Sequence, residues 1–203
     1  MTNTEGAELG RRAARALAQV GTGSCRLEPG LTGAEFARIE QEYGFTFADD
    51  HRAFLAEGLP LDPVPADGFA ARAEWPDWRD GDPAVLRRKL AWPIEGVLFD
   101  VERNRFWRGE WGPRPPELDQ ALAAARERLT AAPVMVPVFS HRYLPSGQGV
   151  HGRAVLSMHQ ADIIVYGVDL VDYIGREFGG QRPDRAGVDW ESVLPAVWID
   201  LVS

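Results

Sequence analysis

The stretch from Val134 to Phe178, VMVPVFSHRYLPSGQGVHGRAVLSMHQADIIVYGVDLVDYIGREF, constrains the fold more than any other part of the chain. VMVPVF is a short apolar run rich in β-branched residues and closed by turn residues, which is the signature of a buried strand. AVLSMH and DIIVYG carry the same signature. LPSGQGVHG is a glycine-rich connection, and Gln160 with Ala161 forms a short turn. Asp169 is placed to cap a helix whose apolar face is Leu170, Tyr173, Ile174 and Phe178, and Gly179 and Gly180 stop it. The expectation is three strands with one helix laid against them, and no catalytic constellation.

Upstream, Glu5 to Val20 reads as an alanine-rich helix. Its apolar side is Leu9, Ala13, Ala16, Leu17 and Val20, with a solvated arginine side, and GTGSC breaks it. Thr32 and Glu35 make a capping box, with Leu31 and Phe36 as its apolar staple. Phe36, Ile39 and Tyr43 continue that helix to Gly44. Asp49 or Asp50 then caps a shorter helix that turns Phe54 and Leu55 inward and ends at Gly58. Residues 60–92 hold many prolines, glycines and acids, as a functional loop would. Pro83 opens a short helix to Leu90. Trp92 to Gly112 is expected to be a hairpin, with IEGVLFDVE as a strand turning at Arg103–Asn104. Glu117 to Leu129 is a helix. The tail after Gly180 is loop, a short helix and a last apolar segment, AVWIDLV. Hairpins mixed with irregularly placed helices give an α+β class with a mostly antiparallel sheet.

With 45% hydrophobic residues in 203, the chain can bury a core of one large domain. A net charge of −8 disfavours nucleic acid and favours a cationic partner. Cys25 is alone, so no intramolecular disulfide is possible. The N-terminus lacks the apolar core of a signal peptide, and no run reaches membrane-spanning length. The expectation is a cytoplasmic protein that is neither membrane-bound nor dependent on a cofactor.

Three blocks carry a family resemblance. They are LTGAEFARIEQEYGFTFADDHRAFLAEGLPL, then WPIEGVLFDVERNRFW with its following WG, and MVPVFSHRYLPSG with VLSMHQADIIVYGVDLVDYIGREF. Together they resemble the SMI1/KNR4 family of the SUKH superfamily, in a subgroup common in high-GC Gram-positive bacteria. The tryptophan-bearing insert at 60–92 departs from the family's most recognisable members. The resemblance implies a domain over 31–180, with residues 1–30 as a helical extension and 181–203 as an extension packed on the domain. It also implies a non-catalytic protein-binding role. Many bacterial members are immunity proteins that bind and neutralise polymorphic toxins, often nucleases, and fungal members act as signalling scaffolds.

Trp75, Asp77, Trp78, Asp80 and Asp82 form an acidic-aromatic loop of the kind that docks a cationic protein, because tryptophan supplies contact area and the acids supply complementarity. The competing reading folds the tryptophans into the core and leaves the acids to cap turns. Asp100 on its strand face, with Arg142 and Tyr143, would extend the docking surface. His141, His151 and His159 lie near one another in sequence, but the spacing makes a weak metal set. No nucleophile elbow, phosphate loop or dinucleotide fingerprint is present. A scaffold role, and a ligand- or metal-binding role or enzyme activity at His141 and His159, stand as alternatives to the immunity reading.

Overall fold

The computed structural model describes residues 2–20, 25–63, 74–179, 185–195 and 197–202. In chain order these form α1 (Thr2–Val20), β1 (Arg26–Glu28), α2 (Gly33–Tyr43), α3 (Asp49–Glu57), β2 (Leu59–Leu61), α4 (Pro83–Arg103) and α5 (Leu118–Thr130). There follow β3 (Met135–Phe139), β4 (Arg142–Pro145), β5 (Val155–His159), β6 (Asp162–Gly167), α6 (Leu170–Glu177) and α7 (Trp190–Val193). Short 3-10 turns sit at Gly109–Trp111 and Trp198–Leu201. The class is α+β. One antiparallel sheet runs β3-β4-β5-β6, and a small antiparallel pair joins β1 to β2.

Two-residue loops close two of the hairpins at one end of the main sheet. Phe139 pairs with Arg142 across Ser140–His141, and His159 pairs with Asp162 across Gln160–Ala161. The strand Arg142–Pro145 was not expected. It was hidden because its turn uses Ser140 at φ 50° in place of the usual glycine, so HRYLP reads as the start of a loop.

The sheet carries helices on both faces. One face meets α1, α3 and α6 through Val136, Val138, Leu144 and Val155, in a core shared with Ala13, Leu17, Phe36, Phe54, Tyr173 and Ile174. The other face turns Met135, Tyr143, Leu156, Met158 and Ile163 toward α4, α5 and the C-terminal turn, where Val97, Val101, Ala125 and Trp198 complete a second core. The β6 edge is bridged in parallel by Val202.

Local chemistry explains the first layer. Thr32 and Glu35 form the reciprocal capping box, and Gly44 closes α2 at φ 71°. Asp169 Oδ1 accepts the Asp172 amide at 2.7 Å to start α6. The cap of α3 differs from expectation. Ala48 is its N-cap residue, and Asp49 and Asp50 lie in the first turn, where their carboxylates accept the Gly149 and Gly152 amides at 3.1 and 2.8 Å. Helix α1 crosses α3 closely because the residues it buries are Gly6, Gly10, Ala13 and Leu17. A β-carbon on Gly10 would stand 2.2 Å from the Asp50 carbonyl oxygen.

The expected hairpin over Trp92–Gly112 does not exist. The chain there continues as α4 through Pro93 to Arg103. A proline inside a helix leaves the carbonyl four residues earlier without its donor, which is why Trp92–Pro93 reads as a break. Here the orphan is the Lys89 carbonyl, and the Tyr143 hydroxyl donates to it at 3.0 Å. Leu86, Pro93, Val97 and Val101 form the buried stripe that runs through the proline.

Candidate functional site

Helix α4 passes over the end of the sheet that carries the two hairpin turns, and a cleft of about 590 Å³ lies between them. Its floor is Tyr143, whose burial pushes the phenol well above its ordinary range. Arg88, Lys89 and Trp92 of α4 form one wall, and Ser140, His141 and His159 form the other, with Glu74 at the side. The Ser140 hydroxyl and His141 Nδ1 share a hydrogen bond of 3.1 Å. The His141 and His159 rings lie 6.5 Å apart, and Trp92 meets His159 edge-on at 6.4 Å.

The turns are held from α4. Asp100 Oδ2 accepts the Ala161 amide at 2.8 Å. Gly96 lets the helix approach so closely that a β-carbon there would sit 3.1 Å from Gln160 Cα. Lys89 Nζ and the Ser140 amide both donate to the Glu74 carbonyl, at 3.3 and 2.8 Å, which ties the 74–82 segment to the same corner. A second cavity of about 340 Å³ lies farther up α4, among Arg26, Asp62, Asp77, Asp82 and Lys89.

The acidic-aromatic loop does not present its rings. Trp75 and Trp78 are each 1% exposed. Trp75 stacks on Phe178 at 5.3 Å and packs against Phe139, and Trp78 packs against Phe45 and Phe47. Asp77 Oδ1 accepts the amides of Arg79 and Asp80, and Asp82 caps α4 through the Ala84 amide. Buried in this way, the indoles present no face to a partner. Residues 64–73 of the 60–92 insert lie outside the described residues.

Asp100, expected to face solvent from a strand, is 8% exposed on a helix, where it also accepts from Asn104 Nδ2 at 2.5 Å. Arg142 and Tyr143 do not share a surface. Neighbours on a strand face opposite sides, so Tyr143 points to α4 while Arg142 lies on the α6 side, over the Tyr166 ring and 3.0 Å from Ser157 Oγ. The three histidines are likewise divided. His151 sits by Glu5 and Asp50 at the α1–α3 crossing, far from the cleft pair in its surroundings. Among the described residues no three His, Cys, Asp or Glu side chains converge as metal ligands.

What the residue pattern did not reveal is the outer side of α4. Trp92 and Phe99 are 40% and 46% exposed, two turns apart on one stripe, with Glu95 between them and Glu102 beyond. The carboxylates are held by exposed ion pairs, Glu95 to Arg126 and Glu102 to Arg103. The spacing 92, 95, 99, 102 would have shown this stripe had Pro93 been accepted inside a helix.

Fold and site together define an α+β domain whose four-stranded sheet carries helices on both faces, with the larger cleft and exposed Trp92 and Phe99 on the α4 side. No family model, no curated protein and no solved structure matches the chain. Among the described residues, no helix is long and apolar enough to cross a membrane.

Proposed function

We propose that this chain is a non-catalytic, cytoplasmic protein-binding module that neutralises a cationic toxin domain by stoichiometric binding, the role that its resemblance to SMI1/KNR4 proteins implies. The observation that carries the reading is the exposed α4 stripe of Trp92, Glu95, Phe99 and Glu102 on a chain of net charge −8. Exposed aromatics flanked by acids supply contact area and complementarity to a basic surface. The ion pairs to Arg126 and Arg103 are solvent-exposed and contribute at most about 1 kcal/mol each, so a partner's cations can replace them. The docking face therefore moves from the 75–82 loop to α4.

The test is titration of the purified chain with basic toxin domains encoded beside its gene, together with survival of cells that express them. Saturable binding near physiological salt, lost in Phe99→Glu, supports neutralisation. Absence of both binding and protection overturns it. Binding to several housekeeping proteins without protection would favour a regulatory scaffold instead.

A further inference from the structure

We propose that the cleft between α4 and the two hairpin turns binds a small anion carrying a planar ring, of the nucleoside monophosphate class, at a site that shares only Trp92 with the outer α4 stripe. The cleft volume of about 590 Å³ falls in the range of small-molecule sites. Among the described residues its polar side chains are Arg88 and Lys89 on one wall and Ser140, His141 and His159 on the other, with Glu74 the one carboxylate. Among the described residues Arg88 enters no salt bridge, so its fork stands ready for phosphate or carboxylate oxygens. The same two cations oppose a divalent metal at the histidine pair.

The ring preference comes from Trp92. It is 40% exposed, and its neighbour His159 meets it at an interplanar angle of 64°, so the indole is not covered by a stacked protein ring. A planar ligand can lie on that indole while its anionic group reaches Arg88, one helical turn earlier on α4.

The site is also built rather than incidental. Both turns at its mouth hold a non-glycine residue in the left-handed region, Ser140 at φ 50° and Gln160 at φ 58°. Such backbone costs about 1 kcal/mol or more and persists where its surroundings fix it. Those surroundings are the Asp100–Ala161 bond, the Gly96 approach and the Ser140 amide on Glu74. A polymeric nucleic acid is disfavoured by the net charge of −8 beyond the cleft, whereas a monophosphate places its whole charge inside it.

The experiment is a titration of the full chain with AMP, adenosine and inorganic phosphate, read by NMR at the Trp92 indole N–H and the His159 ring and by calorimetry. The expected result is saturable AMP binding that perturbs both reporters, with adenosine and phosphate each at least tenfold weaker. Arg88→Glu weakens AMP at least tenfold. Trp92→Ala removes the preference for AMP over phosphate. Both side chains are exposed, so thermal unfolding should match the wild type within a few degrees. Phe99→Glu leaves AMP binding unchanged, because Phe99, unlike Trp92, does not line the cleft. The proposal is overturned by an absence of saturation up to about 10 mM AMP, a range weaker than specific sites reach. It is equally overturned by shifts confined to residues outside the cleft, by variants that bind as the wild type does, or by zinc titrating His141 and His159 while AMP does not bind.

Discussion

The two helical layers that cover the sheet differ in how they are closed. Under α1, α3 and α6, Gly6 and Gly10 bring the α1 backbone directly against α3 and its flank, and Trp75 and Trp78 plug the corner from the loop. Over the opposite face, α4 is interrupted by Pro93, mended by Tyr143, and bordered by the larger cleft and by exposed Trp92 and Phe99, whereas the smaller cavity opens on Leu61 and Trp75 of the first core. Interiors that are close-packed tolerate little change and offer nothing to bind. Concave and apolar surface is what ligands and partners use. On the proposed function, stability belongs to the first layer and recognition to the second.

Gly10→Ala should be the most damaging single change. The new methyl would meet the Asp50 carbonyl at 2.2 Å and the Ala53 β-carbon at 2.7 Å, so α1 must lift from α3. A loss of about 3 kcal/mol or more is expected in urea unfolding, at the upper end of overpacking costs. A loss under about 1 kcal/mol would mean the first layer is looser than its geometry.

Tyr143→Phe comes next, because it strands the Lys89 carbonyl inside the α4 layer. The expected cost is about 1–3 kcal/mol. Pro93→Ala supplies the missing helical N–H, so in a double-mutant cycle the two changes should couple by about 1 kcal/mol, with the alanine less harmful once the hydroxyl is gone. Strict additivity would show that Tyr143 does not mend the helix.

A pH experiment probes the α1–α3 crossing. Burial raises Asp50 from 3.8 to about 6, against the opposing pull of the Gly152 and His51 amides. Burial lowers the adjacent His51 from 6.5 to about 3. Between roughly pH 4 and 6 the native state keeps an extra proton on Asp50 but lacks the one that His51 gains on unfolding, so the two contributions oppose each other. The Asp50 contribution is largest at low pH and is lost as pH rises through about 6. The His51 contribution is present above about 6.5 and is lost as pH falls toward 3. The pair's combined effect should therefore be nearly flat across that window. Asp50→Asn should unmask His51, giving a melting temperature that falls steadily on acidification from about pH 6.5. Parallel profiles for wild type and variant would refute the compensation.

Much of the first layer was legible because its signals are local. Thr32 with Glu35, Gly44, Asp169 and the apolar run of DIIVYG each act within a turn or two of themselves. The second layer was not, because its rules are settled at a distance. Pro93 is tolerable in a helix only because Tyr143, fifty residues later in the chain, supplies the donor. Asp100 is buried only because the Ala161 amide meets it. The same applies to Trp75 and Trp78, whose burial depends on Phe178, Phe139, Phe45 and Phe47. The candidate site inherited that difficulty: His141 and His159 were noticed and Arg88 and Lys89 fell in the expected Pro83–Leu90 helix, but Trp92 lay where Pro93 made that helix read as a hairpin.

The smallest expected stability change is also the most informative. Phe99→Glu on the exposed α4 stripe should alter folding by no more than about 0.5 kcal/mol. The central claim is that recognition belongs to the α4 layer, and binding of a cognate basic toxin domain, measured by calorimetry, tests it directly. Wild type and an α1 surface variant, Arg12→Glu, should bind alike, while Phe99→Glu should bind at least tenfold more weakly. Full binding by Phe99→Glu together with loss in Arg12→Glu would place recognition on the closed layer and contradict the account.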